Sequence, residues 1–130
     1  MKVINISTKI TGGAGIAARN FHQNLILNGH LSILLNGYEE EKKSSIFKIN
    51  SKFSLFCNKI MSKIYSIFYV HKKDFFYYYN FFEINIKRNY LSRLIKFDPD
   101  CIVLHSVQNL LSINDIYYLK KKYKTKISIN

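Results

Sequence analysis

The chain has 130 residues, a length that supports one domain with a hydrophobic core. Its 48% hydrophobic and 15% aromatic residues argue against a disordered chain, and its formal net charge of +12 suits phosphorylated ligands, nucleic acid or anionic lipid. The isolated Cys57 and Cys101, which form no CxxC pair, argue against a disulfide framework or a zinc site. Most of the basic residues are lysines, whose codons are A/T-rich, so the charge also fits an A/T-rich coding sequence. The charge alone therefore does not identify the class of binding partner.

The N-terminal part of the chain predicts a strand, a loop and a helix. Val3 to Ile6 is a short apolar run typical of a buried strand. Turn-forming residues follow from Ser7 to Gly15. From Ile16 to Asn28 the spacing is helical, and we expect one apolar face made of Ala17, Phe21 and Leu25, with Ala14, Ala18 and Ile26 beside it.

A second strand follows this helix. Gly29 is placed to end the helix in the left-handed conformation. Leu31 to Leu35 is another apolar run, and Asn36-Gly37 ends it. A strand, glycine loop, helix and strand in this order predict a βαβ unit and therefore a parallel sheet with a right-handed crossover.

The middle of the chain is less regular. Phe53 to Val70 has the spacing of an amphipathic helix, which either covers the sheet or lies on an anionic bilayer. The aromatic cluster from Phe75 to Phe82 fits no one element. Asn89 to Lys96 predicts a short helix that stops before Asp98-Pro99.

Regular patterns return near the C-terminus. Cys101 to Leu104 predicts a third buried strand that finishes at His105. Ser112 and Asp115 have the spacing of a capping box, so we expect a helix to begin there. Lys126 to Ile129 predicts the beginning of a fourth strand. The predicted fold class is α/β, a Rossmann-like parallel sheet with flanking helices.

The loop Gly12-Gly13-Ala14-Gly15 is the clearest candidate site. Glycines allow backbone N–H groups to approach a ligand, and the helix that follows directs the positive end of its dipole to the same place, which suits a phosphate. The alternative is a tight turn in which glycine only permits close packing. The loose dinucleotide pattern Gly13-x-Gly15-x-x-Ala18 is also present, but the glycines lie too far after the first strand and no acidic residue ends the second. A nicotinamide cofactor is therefore disfavoured.

Two segments carry a resemblance to a known family. The opening KVINISTKITGGAGIAARNFHQNLILNGHLSILL resembles the start of group 1 (family 4) glycosyltransferases of bacterial surface-polysaccharide pathways, with its GGA-type loop, Arg19 and the pair Gly29-His30. The segment FDPDCIVLH, residues 97–105, is similar to the "PDIIxLH" strand of that family, and LLSINDI, residues 110–116, resembles the helix after it. The stretch from Glu39 to Lys96 carries little of the resemblance.

The resemblance implies a GT-B fold, in which two Rossmann-like domains face each other across a cleft. Residues 1–130 would be part of the N-terminal, acceptor-side domain. It also implies that Gly12 and Gly13, with Ala14 and Gly15, lie near the donor diphosphate, that Arg19 supports that region, and that His105 borders the reacting sugar as the catalytic candidate. For Arg19 the alternative is a solvated or packing residue, and for His105 a structural histidine. No metal and no cofactor are expected.

The expected activity is transfer of a sugar from a nucleotide-sugar donor, with retention, to a polyprenyl-linked or growing glycan in capsule, O-antigen or exopolysaccharide synthesis. Because the family's second domain binds the nucleotide, we expect the chain alone to be inactive, either as a truncated reading frame or as one part of a split enzyme whose partner would be a separate C-terminal half. The expected location is the cytoplasm, with peripheral contact at the inner face of the membrane through residues 53–70. The alternative is a basic module that binds nucleic acid or a membrane surface without catalysis, although no nucleic-acid-binding motif favours the former.

Overall fold

The computed structural model of the chain describes residues 1–39, 41, 45–50, 60, 91–107 and 110–130. These residues form one five-stranded sheet in which every pair of neighbouring strands is parallel. In chain order the elements are β1 (Lys2–Ser7), α1 (Gly12–Leu27), β2 (Leu31–Asn36), β3 (Ile46–Lys48), β4 (Cys101–His105), α2 (Ile113–Tyr123) and β5 (Lys126–Ile129). The strand order is β3-β2-β1-β4-β5. The predicted α/β, Rossmann-like sheet is therefore present.

The two faces of the sheet have different chemistry. Alternate residues of β1, β2 and β4, among them Ile4 and Ile6, bury an apolar face with residues of the helical stretch 91–94 and of α2, where Leu119 is fully buried. The opposite face packs against α1, and its apolar cluster is small: Ile10, Ala18, Leu34 and Ile46. Helices thus lie on both faces, as the βαβ pattern requires.

Both helix boundaries that the sequence marked most clearly are confirmed. Gly29 has a φ of 76°, and the N–H groups of Gly29 and His30 donate to the carbonyls of Ile26 and Leu25, which is a Schellman motif. At the start of α2 the Ser112 side chain accepts from the Asp115 N–H, and the Asp115 carboxylate accepts from the Ser112 N–H. This is the expected capping box.

The first helix differs from the prediction in two ways. It begins at Gly12 rather than at Ile16, so the glycine loop forms its first turn. Its buried residues are Gly15, Ala18 and His22, whereas Ala17 is exposed and Phe21 is 40% exposed. The predicted apolar face centred on Ala17 and Phe21 was therefore wrong, because small residues let this helix approach the sheet. Ala18, which was predicted beside that face, is buried, and Phe21 packs its ring against His105 although it is partly exposed.

The middle of the chain adds one strand that no sequence pattern indicated. β3 has three residues and pairs with the end of β2, with Leu34 opposite Ile46. Of the predicted helix 53–70 only Ile60 is described, where it is helical and 42% exposed; the rest, like the 75–82 cluster, lies outside the described residues. The predicted helix 89–96 is confirmed over residues 91–94.

Candidate functional site

The strand order places a crevice between the carboxyl ends of β1 and β4. The chain leaves β1 toward α1 and β2 on one side, and leaves β4 toward α2 and β5 on the other. Open α/β sheets bind ligands at this reversal of strand order, because the two connections diverge and leave a gap. A cavity of about 290 Å³ lies here, lined by Ser7, Thr8, Lys9, Thr11, Gly12, Gly13, Ala14, Gly15 and Ser106. All four predicted loop residues line it.

Two hydrogen bonds tie the walls of the cavity together. The backbone N–H of Thr8 donates to the Ser106 carbonyl at 3.1 Å, and the Thr8 hydroxyl donates to the same oxygen at 2.7 Å. Ser106 has a φ of 48°, which turns the chain sharply after β4. The Ser7 hydroxyl donates to the Lys9 carbonyl at 2.8 Å. The two Thr8 contacts hold the loop after β1 against the loop after β4, and the Ser7 contact is within the loop after β1.

The beginning of α1 is suited to an anion. Its N-cap residue, Thr11, is extended and makes no side-chain capping hydrogen bond. The first turn contains no acidic residue. The N–H groups of the first turn have no partner within the helix, and no carboxylate in that turn offsets the positive end of the dipole. A phosphate or carboxylate on a ligand would supply both the acceptor and the charge.

The three glycines of the loop are under different constraints. Gly12 has a φ of 77°, a conformation that side chains with a Cβ rarely adopt. A Cβ on Gly15 would lie 2.6 Å from the Lys9 carbonyl oxygen, so this position must be glycine for the helix to pack. Gly13 has neither constraint, since its φ is not positive and nothing lies within 4 Å of an added Cβ. Backbone conformation and packing therefore account for Gly12 and Gly15. They do not account for Gly13, which lines the cavity.

His105 lies at the predicted end of β4 but is only 2% exposed. Its Nε2 is 3.2 Å from Asn5 Oδ1, and its Nδ1 is 3.4 Å from Asn130 Nδ2. The ring of Phe21 packs against it, with the centroids 5.7 Å apart. Burial lowers the pKa of His105 below its ordinary value of 6.5, so the imidazole is neutral at pH 7. The structure thus brings His105 to the correct edge, one residue from Ser106, with both ring nitrogens engaged; its catalytic role stays a prediction.

Arg19 is not brought to the cavity. Its guanidinium lies 3.2 Å from the Glu41 carboxylate, and the two side chains are 39% and 38% exposed. The partly exposed pair joins α1 to the residues that precede β3, and such pairs contribute little to stability. A role for Arg19 beside a phosphate stays a prediction.

Sequence reasoning missed the residues that complete the cavity wall. Thr8 and Lys9 follow β1, and Ser106 follows β4. The signal that could have found them is positional, because polar residues directly after buried parallel strands collect at one edge of the sheet. Lys9 is exposed, and its Nζ lies 5.9 Å from the centre of the Tyr38 ring. It is a cation at the rim of the cavity.

Several other polar residues contact the framework of the fold. Asp100 accepts from the Lys2 N–H at 2.7 Å, at the amino end of the sheet. His22 is buried against Ser32, and His30 lies 3.4 Å from the N-terminal nitrogen. Among the described residues, no three histidine, cysteine or acidic side chains are grouped so that they could hold a metal ion. In that same part of the chain, no helix has the length and apolar character needed to cross a membrane.

The described geometry is thus a parallel α/β sheet with a glycine-lined cavity at its strand-order reversal. No protein-family model, no curated protein and no solved structure matches the chain.

Proposed function

We propose that the chain is the acceptor-side domain of a glycosyltransferase and that its glycine-lined cavity receives the phosphate-bearing part of a nucleotide sugar. The observation that carries the proposal is Gly13. Glycine is a poor helix former, costing roughly 0.5–1 kcal/mol relative to alanine in a helix interior, and at Gly13 neither φ nor packing requires it. A ligand that approaches the backbone at this point accounts for the missing side chain.

The chemistry of the wall supports a phosphorylated ligand. Unpartnered helix N–H groups donate hydrogen bonds to phosphate oxygens, and Lys9 adds a positive charge at the rim. The hydroxyls of Thr8 and Ser106 are of the type that binds sugar hydroxyls. The volume of about 290 Å³ is at the small end of ligand sites, so the cavity suits a sugar phosphate or diphosphate rather than a whole nucleotide sugar.

The remainder of the donor needs a second surface. The resemblance to group 1 transferases assigns the nucleotide to a facing domain, and we propose that such a domain works with this one. Transfer to a polyprenyl-linked or growing glycan, with retention and without a metal, is the reaction class that this assignment supports. Electrostatic stabilisation of the departing diphosphate would then be shared between the helix N–H groups of this domain and the facing one.

Binding to the isolated chain tests the proposal. Titration with inorganic pyrophosphate and with a panel of nucleotide sugars should move the backbone amide NMR signals of residues 12–15. Gly13→Ala should leave the chain folded and weaken binding at least about 10-fold, because its methyl group occupies the space of the ligand. Asn20→Ala, at an exposed position of α1, is the matched control and should bind like the unmodified chain.

A charge-matched pair separates this site from general attraction to anions. Lys9→Ala should weaken binding, whereas Lys126→Ala, which removes the same charge from an exposed position at the opposite edge of the sheet, should not. Equal losses of affinity in both variants would instead identify a non-catalytic basic module. So would binding of single-stranded nucleic acid that is tighter than binding of the nucleotide sugars and depends steeply on salt.

A further inference from the structure

A chain of buried hydrogen bonds crosses the sheet beneath α1. Asn5 of β1 lies between Ser32 of β2 and His105 of β4, and all three residues are at most 3% exposed. The Asn5 amide nitrogen is 3.0 Å from Ser32 Oγ, and its oxygen is 3.2 Å from His105 Nε2. Beyond Ser32, the same hydroxyl lies 2.7 Å from Nδ1 of His22, which is also buried.

The donors and acceptors of this chain fit one direction. The Asn5 amide donates to Ser32 Oγ, so its oxygen faces His105 and needs a donor from the ring. Nε2 of His105 must therefore carry the hydrogen. The Ser32 hydroxyl, having accepted from Asn5, has its own hydrogen to donate to His22 Nδ1. Every member then has a partner in its neutral form, as buried polar groups require.

We propose that Asn5, held by Ser32 and His22, is a positioning residue that keeps His105 in the neutral Nε2–H tautomer. Nδ1 is then the unprotonated nitrogen, and it lies toward Asn130, which follows β5 at the same carboxyl edge. The proposal rests on the proposed function for its use: a ring fixed in this way has Nδ1 as its acceptor, which a ligand hydroxyl would engage in place of the Asn130 amide. It does not donate one to an oxyanion, so the phosphate is left to the helix N–H groups.

The surroundings of the ring oppose its positive form. The described side chains that contact it are Asn5 of β1, Phe21 of α1 and Asn130, none of which carries a charge. A second proton would go to Nδ1, where it would face the amide nitrogen of Asn130, which is itself a donor. Asn5 therefore selects the tautomer, and the side chains of Phe21 and Asn130 offer no charge to favour a cation.

NMR of the ligand-free chain tests the proposal. In the unmodified chain at pH 7, the ring nitrogens of His105 should show the shifts of the Nε2–H tautomer. Asn5→Asp places a carboxylate at the same distance and should raise the pKa of His105 by about 1 unit or more. Asn114→Asp adds the same charge at an exposed site on α2 and is the control. Detection of the Nδ1–H tautomer, or an equal effect of the two variants, would overturn the proposal.

A milder variant covers the case in which Asn5→Asp does not fold. Ser32→Ala removes the partner that orients the Asn5 amide, so the Nδ1–H form should become detectable beside the original one. An unchanged, single tautomer in Ser32→Ala would show that Ser32 and His22 do not hold Asn5. Because no ligand is present, a confirmed tautomer with no nucleotide-sugar binding would refute the proposed function alone, whereas binding with mixed tautomers would refute the positioning role alone.

Discussion

Replacing Gly15 with alanine tests whether the first turn of α1 is pressed against the loop that precedes it. The added Cβ would lie 2.6 Å from the carbonyl oxygen of Lys9 and 2.7 Å from the carbonyl carbon of Ile10. Both neighbours are backbone atoms, so no side chain can rotate away. To reach an ordinary contact of 3.4 Å, the helix and loop must separate by about 0.8 Å.

The expected cost follows from that displacement. Forcing an extra carbon into a packed site costs roughly 1–3 kcal/mol. Alanine recovers up to about 1 kcal/mol, because it restricts the unfolded chain and favours the helix. The net loss of stability is therefore centred on about 1.5 kcal/mol, within a range of roughly 0–3 kcal/mol. For a domain of this size the central value lowers the melting temperature by about 4–8 °C.

The same substitution at Gly13 is the internal comparison. Nothing lies within 4 Å of its added Cβ, so only the gain from alanine remains and the chain should become more stable by up to about 1 kcal/mol. Urea denaturation followed by circular dichroism measures both variants. If Gly15→Ala were as stable as Gly13→Ala, the close packing of α1 on the loop would be refuted, and with it the separation of structural from ligand-facing glycines.

Three further predictions concern stability. Ser112→Ala should destabilise the chain by about 1 kcal/mol in urea denaturation, since it removes the side-chain half of the capping box, and an unchanged midpoint would contradict that cap. Gly29→Ala should lower the free energy of unfolding by about 1–2 kcal/mol, because alanine rarely adopts a φ of 76°. Thermal unfolding measures this loss, and an unchanged melting temperature would show that the helix does not end in a left-handed residue at this position. His105 has a lowered pKa in the folded chain, so the stability that it contributes is present above pH 6.5 and is lost as the pH falls below that value. The free energy of unfolding of the unmodified chain should therefore fall toward that of His105→Gln on acidification, by at most about 1.4 kcal/mol per pH unit. If the unfolding free energies of the two chains ran parallel with pH, the prediction would be contradicted.

Most of the sheet could be predicted from the sequence because its signals are local. The apolar runs of β1, β2 and β4 are continuous, as expected of strands that are covered on both faces. Gly29 and Ser112 mark helix ends through their own backbone and side-chain chemistry. β3 was missed because its three residues carry no period, and it is a strand only because β2 lies beside it.

The candidate site was only partly predictable. The glycine loop stands out in the sequence, but its division into structural and ligand-facing positions depends on how near Lys9 lies to Gly15. The buried face of α1 was misassigned because hydrophobic spacing favours large residues, whereas close approach to a sheet favours small ones. The contact between Asn5 and His105 joins residues 100 positions apart, and only the register of β1 on β4 brings them together.

The small residues on the buried face of α1 are the reason why the polar groups beneath this helix need partners within the protein. Gly15 and Ala18 bring the helix close to the sheet, which removes water from Asn5 and Ser32. A buried polar group without a partner costs about 1–3 kcal/mol, so His22 on the same helix face is needed to satisfy Ser32. An apolar pair at Asn5 and Ser32 would remove the partners of His22 Nδ1 and His105 Nε2, so the four polar residues are required together. Under the positioning role proposed for Asn5, the same contacts also determine which nitrogen of His105 carries the hydrogen, because the Asn5 oxygen accepts only from a protonated Nε2.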